Sequence, residues 1–343
     1  MNHSLYMQRC LELARLGTGW TAPNPMVGCV IVKDNEIIGE GYHKNFGEPH
    51  AEVNAINSLK DKSQLEGATV YVSLEPCSHF GKTPPCADLL ITSKVKTVVV
   101  ACRDTNPAVA GKGIDRLRKA GIEVIEGVLE TESRALNKRF FTFHEKQRPF
   151  VILKWAQTLD GYLDKKRSNS DLGVNWISQP ETKALVHKWR GEEQSILVGK
   201  NTIINDNPSL TVRSYKGKNP VRIVIDSQLQ IGGDVNIYSA ESPTIVFNRI
   251  RNEKKENVEW VKINETSTKN ILDELYNRGI ISVFVEGGSR TLQYFIIDNV
   301  WDEALVIVGN KRFEEGLKAP IINRVPIAAH PFGEDMIYYY SRR

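Results

Sequence analysis

The pair Cys77 and Cys86 places the strongest constraint on how this chain can fold. The segment that contains them reads PCSHFGKTPPC over positions 76–86, so eight residues separate the two thiols. Structural zinc sites usually space their cysteines by two to four residues. If both thiols bind one ion, the residues between them must form a loop that returns the chain to the same point.

A histidine and a glutamate upstream complete a metal-binding set. The segment GEPHAE covers positions 47–52, so Glu52 follows His50 by two residues. With Cys77 and Cys86, His50 would supply three protein ligands and leave one tetrahedral position open, which is typical of a catalytic zinc ion. Zinc lowers the pKa of a bound water to about 7. Glu52 could take the proton of that water and return it to a leaving amine, as in zinc-dependent base deaminases.

The same residues have a purely structural alternative. A cysteine is often a small buried apolar side chain, and a histidine can be a hydrogen-bonded core residue. That interpretation is the commoner one for any single residue of the set. It would, however, require the ligand types, the offset of Glu52 and the strand–loop–helix setting to coincide, and we therefore favour zinc. The remaining cysteines match no metal position and are interpreted as core thiols: Cys10, Cys29 and Cys102.

The length and the pattern of apolar runs indicate two α/β domains. A chain of 343 residues exceeds the size at which one hydrophobic core keeps growing. Short apolar runs alternate with helical patterns up to about residue 146, and the alternation restarts after Pro149. We expect a deaminase domain over residues 1–146 and a second domain over residues 147–343.

Composition limits the partners and the compartment. The net charge is +4, from 45 basic and 41 acidic residues, which is too small and too evenly spread to indicate nucleic-acid binding. The N-terminus has an amphipathic pattern and lacks the apolar core of a signal peptide. No apolar run approaches the roughly 18 residues of a membrane span. We expect a cytoplasmic homo-oligomer that acts on small molecules, away from nucleic acid and membranes.

Four segments of the first half resemble one enzyme family closely. APNPMVGCVIV, GYHKNFGEPHAE, YVSLEPCSHFGKTPPC and DTNPAVAGKGIDRLRKAGIEV resemble the deaminase half of the bifunctional riboflavin-biosynthesis deaminase/reductases. The resemblance implies a cytidine-deaminase-like three-layer α/β/α domain. It also implies hydrolytic removal of the 2-amino group of 2,5-diamino-6-ribosylamino-4(3H)-pyrimidinone 5′-phosphate, with Asn24 contacting the substrate. We expect the loop between the thiols to lie beside the pocket, where its His79 and Lys82 would bind the substrate phosphate.

The second half carries a glycine turn of a different kind. No Gly-x-Gly-x-x-Gly fingerprint is present after residue 150, so a Rossmann domain is unsupported. Instead, a predicted strand runs into Glu286-Gly287-Gly288 and then into a helix. Glycines at such a turn let the backbone approach phosphate groups. Asp160-Gly161 is interpreted as a hairpin turn rather than a catalytic aspartate.

Further segments extend the resemblance to the reductase half of the same family. They are KWAQTLDGYL, WIS, VGKNTIINDNPSLTVR and VIDS, in that order. The resemblance implies a dihydrofolate-reductase-like α/β fold that binds NADPH. The implied NADPH contacts are Ala156, Trp176, Thr202, Asp206, Ser227, Gly288, Ser289, Arg290, Thr291, Leu292, Gln293 and Tyr294. The implied substrate contacts are Arg190, Leu210, Arg213 and Glu286.

Chemical roles follow for some of these side chains. Arg190 and Arg213 would hold the ribose 5′-phosphate, because a guanidinium group binds phosphate bidentately. Lys154 and Glu286 end two predicted strands near the reacting sugar, and either could move protons while hydride passes from the nicotinamide to ribose C1′. The reaction would reduce the ribosyl group of 5-amino-6-(5-phosphoribosylamino)uracil to ribityl.

Two other functions have to be weighed. A nucleic-acid-editing deaminase would need a basic stripe with interleaved aromatic residues and a short gap between the thiols, and the sequence has neither. A deaminase with a non-catalytic second domain for assembly or binding is the stronger alternative. The combination of Glu286-Gly287-Gly288 with Arg190 and Arg213 argues against it.

Overall fold

The computed structural model describes residues 2–78, 84–106, 110–167 and 172–342. The chain divides into two units, Met1–Lys146 and Gln147–Arg343, and each has its own hydrophobic core. Within the described parts of the chain, no helix has both the length and the apolar character needed to cross a membrane.

The first unit is a five-stranded mixed sheet between helices. Its strands run in the order β2-β1-β3-β4-β5, with β1 antiparallel to both neighbours and the last three parallel. The strands are β1 (Gly28–Lys33), β2 (Glu36–Tyr42), β3 (Thr69–Val72), β4 (Thr97–Val100) and β5 (Glu123–Glu126). The helices are α1 (His3–Arg15), α2 (Ala51–Asn57), α3 (Cys86–Thr92), α4 (Lys112–Lys119), α5 (Glu130–Leu136) and α6 (Lys138–Lys146), with a 3-10 turn at Lys62–Leu65.

The alternation of side chains along β1 explains the layers on either side of this sheet. Successive residues of a strand point to opposite faces. Cys29 and Ile31 belong to the core formed with α2, α3 and α4. Val30 and Val32 belong to the core formed with α1. The central strands are therefore apolar throughout, because both of their faces are covered.

The second unit contains a ten-stranded sheet and a separate two-stranded sheet. Its strands are β6 (Phe150–Thr158), β7 (Tyr162–Asp164), β8 (Ser195–Gly199), β9 (Val221–Ile225), β10 (Thr244–Asn248), β11 (Glu253–Lys255), β12 (Val258–Lys262), β13 (Ser282–Val285), β14 (Glu303–Gly309), β15 (Leu317–Lys318), β16 (Ala328–Phe332) and β17 (Asp335–Ser341). The helices are α7 (Pro180–Glu192), α8 (Lys200–Asp206), α9 (Thr268–Asn277) and α10 (Ser289–Ile297), with a 3-10 turn at Asn236–Tyr238.

The order of the large sheet determines where its functional residues meet. The order is β11-β12-β10-β9-β8-β13-β6-β14-β17-β16, and the strands from β12 to β14 are parallel. The carboxyl ends of parallel strands lie at one edge of a sheet, where ligands bind in open α/β folds. Lys154 lies in β6, Glu286 directly follows β13, and Lys200 directly follows β8. Lys154 is the first residue of β6 beyond its last pair with β13, so it lies beside the ends of the neighbouring strands at this edge.

The turn at Asp160-Gly161 differs from the predicted hairpin in its pairing. Gly161 has a φ of +82°, which a turn requires and glycine tolerates. The strand that follows, β7, pairs with β15 rather than with β6. The Asp160 carboxylate accepts hydrogen bonds from the backbone N–H groups of Phe313 and Glu314, so it fixes a neighbouring loop.

Candidate active sites

The side chains of His50, Cys77 and Cys86 converge in the first unit. His50 immediately precedes α2, Cys86 begins α3, and Cys77 lies in the loop after β3. The Nδ1 atom of His50 lies 3.6 Å from Sγ of Cys77 and 3.4 Å from Sγ of Cys86. A tetrahedral ion with sulfur at about 2.3 Å and nitrogen at about 2.0 Å would hold these donors about 3.5 Å apart. The three donors therefore fit a zinc ion.

The surroundings of Cys77 favour its ionised form. Its Sγ accepts a hydrogen bond from the backbone N–H of Cys86 at 3.3 Å. The Cys86 thiol and His50 lower the pKa of Cys77 to about 4, against the opposing effect of burial. Zinc binds the thiolate form of cysteine, so the loop geometry prepares this ligand for the metal.

Glu52 lies beside the three metal ligands without being one of them. It belongs to the first turn of α2, and its side chain is buried, with 3% of its surface exposed. It lines a cavity of about 180 Å³ together with His50 and Cys77. Burial raises the pKa of Glu52, and the nearby His50 opposes this effect. Its position suits a carboxyl group that carries protons.

Asn24 lines the same cavity and is oriented by a histidine that the sequence analysis did not select. The Nδ1 of His43 lies 3.1 Å from the carbonyl oxygen of Pro49, and its Nε2 lies 3.1 Å from Nδ2 of Asn24. Since a carbonyl can only accept, Nδ1 carries the proton and Nε2 accepts from the Asn24 amide. Burial lowers the pKa of His43, which is consistent with this neutral form. The oxygen of the Asn24 amide is therefore the atom that would face a substrate donor.

Glu75 is a second residue that the sequence analysis did not select. It precedes the Pro76-Cys77 step and is almost fully buried. Its carboxylate accepts four backbone N–H bonds of 2.9 to 3.3 Å, from Asp104, Gly111, Gly113 and Ile114. Asp104 also lines the cavity. Glu75 thus ties the metal-binding loop to the segment on the far side of the pocket. The predicted phosphate-binding residues His79 and Lys82 lie outside the described residues, and their role stays a prediction.

We expect the Cys86→Ser variant to lose zinc, because a serine hydroxyl is not a thiolate ligand at neutral pH. The zinc content of the purified variant, measured by elemental analysis, should fall well below one ion per chain. Cys102→Ser is the matched control, because Cys102 is a buried thiol that contacts Ser133 and the Ser73 carbonyl rather than His50. Stoichiometric zinc in Cys86→Ser would place the metal on other ligands.

In the second unit, Lys154, Glu286 and Arg190 form a buried ion cluster. Arg190 donates from Nε to Oε1 of Glu286 at 2.6 Å and from Nη2 to Oε2 at 3.0 Å. Lys154 donates from Nζ to the same Oε2 at 3.2 Å. Burial alone would raise the pKa of Glu286, but the two cations outweigh it and lower that pKa to about 2. Glu286 is therefore a carboxylate at neutral pH.

The cluster changes what can be expected of Arg190. A phosphate contact shared by Arg190 and Arg213 is predicted from the sequence, and it stays a prediction. The structure pairs the Nε and Nη2 edge of Arg190 with Glu286, so its bidentate edge faces a carboxylate of the chain. Arg213 is exposed, and its backbone N–H donates to Nδ1 of His187 at 3.3 Å. His187 lies one helical turn before Arg190 on α7 and was not selected from the sequence.

The other predicted substrate contact, Leu210, lies close to Arg213 in the chain. Its side chain is buried and its φ is +53°, which is unusual for a residue with a side chain. The constrained backbone leads directly to Thr211, whose carbonyl oxygen lies 3.4 Å from Nη1 of Arg190. The contact of Leu210 with substrate stays a prediction.

A large cavity lies at the carboxyl edge of the second sheet. Its volume is about 860 Å³, within the range of about 300–1,000 Å³ that is usual for ligand pockets. Eight of the twelve predicted NADPH contacts line it: Thr202, Asp206, Ser227, Gly288, Ser289, Arg290, Thr291 and Tyr294. The cavity therefore gathers residues from β9, α8 and α10 around one space.

The remaining four predicted NADPH contacts are placed elsewhere. The side chain of Leu292 is fully buried in the hydrophobic core. Gln293 accepts a hydrogen bond from the backbone N–H of Ile321. Trp176 is 53% exposed, and the Nζ of Lys183 lies 3.5 Å above its ring. Ala156 lies within β6. Contact of these residues with NADPH stays a prediction.

The glycine turn before α10 fits the binding of a phosphate-bearing cofactor. A Cβ atom at Gly287 would lie 2.9 Å from Cβ of Thr291, so the turn cannot accept a side chain there. At Gly288 a Cβ atom would meet only Thr202 Oγ1, at 3.9 Å among described atoms, so the space beside this glycine is open. The first N–H groups of a helix lack partners within the helix and bind anions readily. The size and the donor set of the cavity suit NADPH.

Comparison with known proteins identifies both units. Residues 1–102 match the family model of the cytidine and deoxycytidylate deaminase zinc-binding region, and residues 149–312 match the RibD C-terminal domain. The riboflavin biosynthesis protein RibD of Aquifex aeolicus (strain VF5) is 42% identical, over 98% of this chain and 98% of that protein. RibD of Escherichia coli (strain K12) is 39% identical, over 91% of this chain and 88% of that protein.

Solved structures agree with these relatives. The diaminohydroxyphosphoribosylaminopyrimidine deaminase/5-amino-6-(5-phosphoribosylamino)uracil reductase of Thermotoga maritima superposes with a TM-score of 0.88 at 40% identity, covering 98% of this chain and 97% of that one. RibD of Acinetobacter baumannii gives 0.89 at 33% identity, covering 98% of both chains. The predicted fold class is confirmed, with a cytidine-deaminase-like unit and a dihydrofolate-reductase-like unit. The chain therefore belongs to the RibD family of riboflavin biosynthesis and combines a zinc-dependent deaminase with an NADPH-dependent reductase.

Proposed function

We propose that the Met1–Lys146 unit hydrolyses the 2-amino group of 2,5-diamino-6-ribosylamino-4(3H)-pyrimidinone 5′-phosphate. The name of the Thermotoga maritima relative supports this substrate class. The observation that carries the proposal is the convergence of His50, Cys77 and Cys86 close to the buried carboxyl of Glu52, which lines a cavity together with His50 and Cys77. A zinc ion bound by these three side chains supplies a Lewis acid that makes water a nucleophile at neutral pH.

The side chains of the chain itself then direct the protons. Glu52 takes a proton from the attacking water and delivers it to the departing amine, so that ammonia leaves and a carbonyl replaces the amino group. Asn24 holds the pyrimidine through its amide oxygen, because His43 engages the amide nitrogen. The buried position of Glu52 keeps bulk water away from this transfer.

We further propose that the second unit reduces 5-amino-6-(5-phosphoribosylamino)uracil to its ribityl form. NADPH, when bound in the 860 Å³ cavity, supplies the hydride that reaches ribose C1′. The bond between C1′ and the ring oxygen breaks, and that oxygen needs a proton. Glu286 is ionised at neutral pH and cannot donate, so the ammonium group of Lys154 is the proton donor that the cluster favours.

The experiment that tests both reactions uses the full chain. Ammonia release from the diamino ribotide reports deamination, and loss of NADPH absorbance on adding the deaminated ribotide reports reduction. If ammonia is released but NADPH is never consumed, the second unit is a non-catalytic assembly or binding module.

We also propose that the protein is a cytoplasmic homo-oligomer without a nucleic-acid partner. The five cysteines are all unpaired, which suits a reducing compartment. The net charge of +4 offers little attraction to nucleic acid. Exposed apolar side chains at Ile321, Val325 and Ile327 provide a surface of the kind that subunits bury. Light scattering at several protein concentrations tests the oligomeric state.

The Arg213→Ala variant should weaken binding of the phosphorylated reductase substrate. Loss of a charge-assisted contact costs about 1.5–3 kcal/mol, which corresponds to a rise in KM of about 10- to 100-fold at little change in kcat. Steady-state kinetics of both half-reactions measure the effect. Lys216→Ala, a nearby exposed cation, is the control and should leave KM unchanged. Deamination and zinc content should stay normal in both variants, and an equal loss of both activities would contradict separate sites.

A further inference from the structure

We propose that Arg167 makes the cofactor cavity of the second unit acceptable to an anionic ligand by neutralising two carboxylates in its wall, those of Asp164 and Asp206. The inference rests on the proposed use of this cavity for NADPH. It assigns Arg167 a positioning role, because Arg167 acts through the two aspartates rather than on the reacting atoms.

The lining of the cavity has an excess of acidic side chains, which is unfavourable for an anionic ligand. NADPH carries a pyrophosphate and a further phosphate, so it is strongly anionic. The described lining has more acidic side chains than basic ones, with Asp164, Asp206, Glu265 and Asp298 against Lys200 and Arg290. Uncompensated carboxylates beside an anionic ligand repel it. Binding of NADPH therefore requires cationic side chains that neutralise these carboxylates from outside the lining.

Arg167 bridges the two aspartates from outside this lining. Its Nε lies 2.5 Å from Oδ2 of Asp164, and its Nη2 lies 3.0 Å from Oδ1 of Asp206. Asp164 ends β7 and Asp206 ends α8, so one guanidinium group joins two separate elements. The three side chains are between 14% and 24% exposed, so solvent screens their charges only in part. The planar fork of arginine suits this double contact better than the ammonium of lysine would.

Neighbouring groups complete the compensation of Asp164. Its Oδ1 accepts hydrogen bonds from Nδ2 of Asn175 and from the backbone N–H of Lys165. Arg167 also donates from Nη1 to the carbonyl oxygen of Gly173 at 2.7 Å. The same contacts also tie residues 165–167 to Gly173 and Asn175, so a test has to separate charge compensation from tethering.

The expected size of the effect follows from Coulomb's law. At an effective dielectric constant of about 20 and separations of about 6–10 Å, one uncompensated charge changes a binding constant by roughly 10- to 100-fold. We expect Arg167→Met, which keeps an apolar stem of similar length, to raise the dissociation constant of NADPH by this factor. Fluorescence titration of the full chain with NADPH measures it directly.

The salt dependence of NADPH binding and a second substitution at Asp164 distinguish charge compensation from tethering. Raising the salt concentration from about 0.02 to about 0.5 M shortens the screening length severalfold, so it should shrink the difference between Arg167→Met and the parent. Arg167→Lys should retain most of the binding, since it keeps the charge. Adding Asp164→Asn to Arg167→Met should recover binding, because one of the two exposed charges is removed.

Three results would overturn the proposal. They are an unchanged dissociation constant in Arg167→Met, a loss that is equal at both salt concentrations, and a loss that Asp164→Asn does not relieve. Should Arg167→Met fail to fold, Asp164→Asn alone decides the matter, because charge compensation predicts NADPH binding at least as tight as in the parent and tethering predicts weaker binding. Absence of NADPH binding by the parent chain would instead refute the proposed function.

Discussion

Replacing Glu52 with glutamine is expected to lower the rate of deamination by about 10²–10⁴-fold, the usual effect of losing a general acid–base group. Glutamine keeps the shape and the hydrogen-bonding capacity of the side chain, but it cannot take a proton from water and pass it to an amine. The zinc content should remain at one ion per chain, because Glu52 adjoins the three ligands without belonging to them. Rates of ammonia release and elemental analysis on the same preparation measure the two quantities together.

The control for this variant is Glu48→Gln. Glu48 lies in the same segment, but it is exposed and does not line the described cavity. It should retain full deamination, which separates proton transfer from a general change in charge. A Glu52→Gln chain that lost its zinc along with its activity would show that Glu52 is a ligand or a structural support. A chain that kept its activity would remove Glu52 from the mechanism.

The residues with the most restricted chemistry were the ones that the sequence could reveal. A histidine, two cysteines and a glutamate two residues after the histidine form a combination that few other functions require. Both the residue types and their spacing can be recognised in the sequence alone. The structure brings His50 within 3.6 Å of both thiols, as one shared ligand position demands. The helical patterns at Glu52–Leu59 and Ala87–Thr92 predict the two helices beside the ligands, and they correspond to α2 and α3.

Glu75 shows why some residues around the site could not be recognised from the sequence. Its four backbone partners lie 29 to 39 positions further along the chain. Backbone N–H groups carry no residue identity, so no pattern in the sequence marks their acceptor. His43 escaped for a related reason, since its role depends on Asn24, 19 positions away. Contacts of this kind become visible only when the fold brings them together.

The apolar runs of the first half predict strands over Val27–Lys33, Val70–Leu74 and Val95–Cys102 but none at β2, although the turn before β2 is recognisable. Asp34 and Asn35 both have positive φ values, as a two-residue hairpin turn requires. The strand itself contains Gly39 and Gly41, which weaken the apolar alternation. A Cβ atom at Gly41 would lie 2.2 Å from the backbone nitrogen of Ala55, so α2 packs directly on the strand. The close packing of α2, rather than strand propensity, explains why glycine occupies these two positions.

The contact between Arg190 and Glu286 is another feature that the sequence does not show. An arginine near a phosphorylated substrate is readily interpreted as a phosphate ligand, and a glutamate at a strand end as a proton carrier. In the structure the two side chains pair with each other, and Lys154 joins them. The pairing keeps Glu286 ionised, and this is the reason for proposing Lys154 as the proton donor.

Replacing Glu286 with glutamine is expected to abolish reduction and to destabilise the second unit by about 3–5 kcal/mol. Removing one partner of a buried ion cluster leaves the others buried without compensation, which accounts for a cost of this size. The side chains of Glu286, Lys154 and Arg190 are only 9% to 14% exposed, so solvent can replace little of the lost interaction. Urea unfolding followed by tryptophan fluorescence suits the measurement, since five of the six tryptophans lie in the second unit.

The pH dependence provides an independent measurement of the same interaction. The folded pKa of Glu286 is about 2, below its ordinary value of 4.5, so its carboxylate stabilises the fold above about pH 4.5. This contribution is lost as the pH falls from about 4.5 towards 2. The glutamine variant should therefore lose less stability than the parent over that interval.

Glu274→Gln is the control, because Glu274 pairs with Arg278 at the surface and should contribute less than about 1 kcal/mol. Equal acid sensitivity of the parent and the Glu286→Gln chain would mean that the cluster does not stabilise the fold, and a variant that still consumed NADPH at the parent rate would remove Glu286 from the reductase site.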